Sequence, residues 1–163
     1  MKSLFKIMLL VAAIVCVSNV SAQEKGMKAF GGGLTYLTDE GYSNTGVNLK
    51  FQYNLTDPIR LEPSVTFFLP KDKVNSLDLS LNAHYLFSLN DDFMVYPLVG
   101  FGVMRSSSEG YSNSDMLLNL GAGIDYWITD NLIGNFEIKL KSANTESVGY
   151  SWYNVSVGVA YVF

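Results

Sequence analysis

His84 is the single histidine of the chain and stands in the run Asp78-Leu79-Ser80-Leu81-Asn82-Ala83-His84. Apolar and polar residues alternate there, and a period of two puts alternate side chains on opposite faces of a strand. His84 therefore shares a polar face with Asp78, Ser80 and Asn82. Folding this segment back on residues 59–69 about residues 70–76 sets His84 opposite Glu62, and the next turn brings it near Tyr96. A Glu–His–Tyr set could hold a proton or polarise a nucleophile. Inside a polar interior the same groups would satisfy one another's hydrogen bonds, and that is the reading adopted. No second histidine or cysteine stands near His84 with ligand spacing, so neither a metal nor a cofactor is expected.

The same parity collects the mid-strand charges. Lys50, Arg60, Lys139 and Lys141 fall on polar faces, and so do Glu62, Asp78, Asp125 and Glu137. Four bases against four acids nearly cancel. They must pair if they share a narrow space, because an unpartnered charge away from water carries a desolvation cost. With His84 they form one expected polar network.

The elements that position these groups are alternating segments over residues 27–37, 46–55, 59–69, 77–87, 93–104, 116–128, 132–141 and 150–163. Between them lie short turns at 56–58, 88–92 and 129–131, and longer polar connections at 38–45, 70–76, 105–115 and 142–149. This reads as an up-and-down antiparallel meander with both termini on the short-turn side. A water-soluble sandwich or lipocalin-like barrel would turn the apolar faces inward. Three features turn them outward, to lipid. The apolar faces are nearly free of charge. Aromatics gather at strand ends: Tyr53, Tyr85, Phe87, Phe93 and Tyr126 by the short turns, Tyr36, Phe67 and Tyr153 by the long connections. Gly31, Gly33, Gly100, Gly102, Gly121, Gly123 and Gly158 sit on the polar faces, where a narrow interior needs room. The fold class is all-β, an eight-stranded antiparallel up-and-down transmembrane β-barrel. Eight strands enclose a space that side chains fill. Leu86, Met94, Trp127 and Ile133 are expected to stop the short-turn end, and Phe68, Met104 and Leu117 to crowd the other. The lumen reads as closed.

Residues 1–22 read as a secretory signal peptide: Lys2 and Lys6, an apolar run from Ile7 to Val17, then Val20-Ser21-Ala22. The barrel domain is then residues 23–163. The lone cysteine, Cys16, lies inside the leader, so the mature chain forms no disulfide. Beyond the leader, 15 acidic residues face nine basic ones, which argues against nucleic acid as a partner.

The chain finishes on Tyr161-Val162-Phe163, and Tyr161 with Phe163 is similar to the C-terminal signal that outer-membrane barrels present to the barrel-assembly machinery. Tyr96-Pro97-Leu98-Val99-Gly100-Phe101-Gly102 and Leu120-Gly121-Ala122-Gly123-Ile124-Asp125-Tyr126 also resemble recurring strands of the small OmpA/OmpX-like barrels. These belong to the outer membrane protein beta-barrel domain family. The resemblance implies a monomer in the cell outer membrane of a Gram-negative envelope, bounded by outer-membrane lipid and lipopolysaccharide and assembled with periplasmic chaperones. It implies a structural or surface-interaction role without catalysis. Within the family a small porin-like channel and a lipid A-modifying enzyme are the alternatives. Acyl hydrolysis would need a Ser–His pair at the lipid-facing surface, and no outward serine lies near His84. Residues 105–115, rich in Ser, Asn and Tyr, are the longest surface segment expected.

Overall fold

The computed structural model describes residues 24–39, 41–71, 73–108, 111–144 and 149–163. The leader read over residues 1–22 lies outside them. The strands are β1 (Lys28–Asp39), β2 (Tyr42–Asn54), β3 (Ile59–Lys71), β4 (Val74–Tyr85), β5 (Phe87–Ser88), β6 (Phe93–Ser108), β7 (Tyr111–Thr129), β8 (Leu132–Asn144) and β9 (Gly149–Val162). Sequence neighbours other than β4 and β5 pair antiparallel, β1 also pairs with β9, and β4 pairs with β6. β5 merely continues β4 after Leu86, so the wall is a closed eight-stranded antiparallel barrel. Among the described residues no helix is long and apolar enough to cross a membrane.

Two outward prolines explain where the ladder lapses. The β2–β3 register runs to Lys50↔Ser64 and resumes at Tyr53↔Leu61, skipping the place where Phe51 would meet Pro63. The β4–β6 register ends at His84↔Leu98 and resumes as Phe87↔Val95, skipping Tyr85 and Pro97. Proline has no N–H to give a ladder. The division between β4 and β5 thus follows from Pro97.

The face assignment holds around the barrel. Leu34, Phe101, Leu118 and Val157 are more than half exposed on the outside, while Lys50, Gln52, Arg60, Glu62, Asn119 and Asp125 are buried inside. So wide an apolar belt far exceeds what a soluble monomer leaves open to water, and lipid is its natural solvent. Aromatic pairs stud the short-turn rim: Tyr85 with Phe87 at 4.8 Å and Phe93 with Tyr126 at 4.7 Å between ring centroids.

Two expectations need correction. The long connections are mostly strand. β1 and β2 approach to Asp39↔Tyr42, β6 and β7 to Ser108↔Tyr111, and β8 and β9 to Asn144↔Gly149. Polar Ser/Asn stretches show no apolar alternation, yet the backbone ladder simply continues through them into water. The second correction concerns register. His84 faces Arg60 across the β3–β4 ladder, and Glu62 faces Asn82. An irregularity between Phe68 and Lys71, beside Lys73 at φ 62°, moves the turn off centre.

Candidate functional site

Parity alone delivers all nine expected network residues to the interior: Lys50, Arg60, Glu62, Asp78, His84, Asp125, Glu137, Lys139 and Lys141 are buried. They come from β2, β3, β4, β7 and β8, and several pairs reach across the lumen between strands that are not neighbours. Lys50 Nζ donates to Glu137 Oε1 at 2.8 Å, and Lys139 Nζ to Glu137 Oε2 at 2.8 Å. Arg60 Nη1 donates to Asp125 Oδ2 at 2.6 Å. Lys141 Nζ binds Asp78 and also donates to Ser80 Oγ at 3.0 Å. Each charge has an opposite one in contact, which is the condition for keeping ions away from water.

Tyr96 is the hub. Its hydroxyl lies 2.9 Å from Glu137 Oε1 and 3.2 Å from Asp125 Oδ1, sharing one hydrogen between two carboxylates. Its ring stacks on His84 at 4.6 Å and 5°, with Arg60 Cζ 4.6 Å from its centroid. The slot for this ring is cut by Gly123, where an added Cβ would stand 2.5 Å from Tyr96 Cζ. His84 thus meets Tyr96, as expected, and Glu62 as a diagonal neighbour: Nε2 and Oε1 are 3.8 Å apart. Arg60 Nε and Nη2 approach His84 Nδ1 at 3.2 and 3.0 Å. A guanidinium only donates, so Nδ1 presents its lone pair and the ring hydrogen sits on Nε2.

Apolar clusters cover both ends. Leu86, Met94, Tyr96 and Leu98 pack at the short-turn end. Ile133 is fully buried, whereas Trp127 is only half-buried. Trp127 stands outside the stopper, lining an open vestibule of about 590 Å³ with Met27, Ser88 and Met94. At the opposite end, that of the long hairpins (the hairpin end), Phe68, Leu117 and Met104 pack together, joined by Leu37, Ala143 and Trp152. The inward parity of Trp152, two places before Asn154, was the signal for it. Beyond this end, burial and a bond to Asp115 push the Tyr150 phenol above its ordinary value. Lys71 lies over the Tyr42 ring at 4.6 Å and bonds Ser43.

Residues 7–163 match the sequence profile of the outer membrane protein beta-barrel domain. The chain belongs to that family. It is an integral outer-membrane protein of the small eight-stranded type. No curated protein matches it significantly. Among solved structures, Neisserial surface protein A is 13% identical with a TM-score of 0.69, over 85% of this chain and 98% of its own. The N-terminal β-barrel domain of Pseudomonas aeruginosa OprF is 21% identical with a TM-score of 0.60, over 86% and 98%. The attachment invasion locus protein Ail of Yersinia pestis is 22% identical with a TM-score of 0.55, over 85% and 99%. At such identities the likeness is one of fold.

Proposed function

We propose that this outer-membrane barrel is a structural or surface-interacting protein, not an enzyme and not a channel, with a lumen closed to ions. The observation that carries the reading is the set of ion pairs spanning the lumen, Lys50–Glu137, Arg60–Asp125 and Lys141–Asp78. An ion crossing the barrel would have to part these charges and displace Tyr96. Catalysis on lipid is disfavoured by the position of His84, which is fully buried with its ring nitrogens directed at Arg60 and Glu62. A lipid-acting nucleophile would need a base on the outer wall.

In the same reading residues 1–22 direct export, and Tyr161 and Phe163 are read by the assembly machinery. Lipopolysaccharide is the outer-leaflet neighbour. The surface role falls to the hairpin of β6 and β7, whose strands run to Ser108 and from Tyr111 as a paired ladder carrying Ser, Asn and Asp side chains. The fold likeness to a protein named for attachment and invasion is in keeping with this. Single-channel recording of the refolded protein in planar bilayers tests the closed lumen. Silence at voltages that open general porins is expected; large steady steps would refute it. Shortening the hairpin at residues 106–114 should lower attachment of cells bearing the protein, and unchanged attachment would remove the surface role.

A further inference from the structure

We propose that the lumen binds one ordered water between His84 and Glu62, completed by Asn82 and Gln52. His84 Nε2 and Glu62 Oε1 are buried without a hydrogen-bond partner in the protein, and so are Asn82 Nδ2 and Gln52 Oε1. Three of these residues adjoin the fourth, Glu62. Glu62 faces Asn82 across the ladder, its other oxygen accepts from Gln52 Nε2 at 2.9 Å, and His84 Nε2 lies 3.8 Å from Oε1. That spacing is too long for a direct bond, yet one molecule at about 2.8 Å from each atom spans it. The set offers two donors, His84 Nε2–H and an Asn82 Nδ2–H, and two acceptors, Glu62 Oε1 and Gln52 Oε1. Water accepts two hydrogen bonds and donates two, so the match is complete.

A divalent cation is the rival guest, because Glu62, His84 and Glu137 offer ligand atoms within 4.8 Å of one another. Two arrangements oppose it. Binding through Nε2 would drive the ring hydrogen to Nδ1, directly at the Arg60 donors 3.2 and 3.0 Å away. Both Glu137 oxygens already accept from lysines, Lys50 and Lys139. The site therefore takes a neutral molecule. The gap in the β2–β3 ladder beside Glu62 and Pro63 places the guest next to one of the two lapses in the wall.

Nuclear magnetic resonance of the isotope-labelled protein in lipid nanodiscs tests this. His84 should be protonated on Nε2, and that hydrogen and the Asn82 side-chain amide should both show dipolar transfer from a long-lived water. His84→Phe should abolish the transfer at Asn82 while heat-modifiable migration persists. If that variant does not fold, the wild-type spectra decide alone. A hydrogen on Nδ1, absence of transfer at Nε2–H, or an Nε2 resonance shifted by equimolar zinc would each overturn the site. Slow exchange of this water rests on the closed-lumen reading, but tautomer and water contact are read at His84 itself. Ion conduction would therefore defeat that reading without deciding this one.

Discussion

The middle of the lumen and its two ends are built from opposite materials. The ends are apolar: Leu86, Met94 and Leu98 on one side, Phe68, Leu117 and Trp152 on the other. The middle is ionic, with Lys50, Arg60, Lys139, Glu62, Asp125 and Glu137 gathered around Tyr96. Apolar contacts are non-directional and tolerate repacking. Paired charges in a dry space fail sharply when one partner is lost. The contrast teaches that the ends can be trimmed and repack, whereas the middle must stay paired and fixes which strands face one another across the barrel.

The largest effect is expected at the centre. Arg60→Leu strands Asp125 and should cost about 3–5 kcal/mol, read as a lowered urea midpoint in lipid. Replacing both partners, R60L with D125L, should recover most of that loss, because an apolar pair of similar size avoids the buried charge. At the hairpin end Leu117→Ala should cost ~2–3 kcal/mol by the same measurement. Gly123→Ala pushes a methyl at the Tyr96 ring and should cost about 1–3 kcal/mol, with loss of the Tyr96 contacts visible in near-ultraviolet circular dichroism. The smallest effect lies in the wall. Pro63→Val supplies the missing N–H opposite Phe51 and should stabilise by ~1 kcal/mol, with slower amide exchange at Phe51 and Gln52. If Leu117→Ala proved as damaging as Arg60→Leu, the division of labour between centre and ends would be broken.

Much of this was legible in the sequence because period two is insensitive to small errors of register. Shifting a strand by two residues keeps every side chain on its face. Hence the set from Lys50 to Lys141 lies buried on the expected face while His84 meets a different ladder partner. The Glu62 expectation assumed a symmetric turn, and the irregularity between Phe68 and Lys71 displaced it to Arg60. Strand ends were invisible for a different reason. Outside the membrane nothing demands apolar residues, so Ser106, Asn113 and Ser114 look like loop although their backbones pair. Trp127 misled because inward parity next to the Thr129–Leu132 turn no longer means burial.

The claim most worth attacking is that the paired centre closes the lumen without help from the ends. Single-channel recording of a double variant, Met94→Ala with Trp152→Ala, addresses it directly, since both apolar ends are cut back while the ion pairs stand. The expected record is as silent as that of the wild type at the same voltages. Steady conducting steps from the double variant would contradict it and move the seal from the charges to the apolar ends.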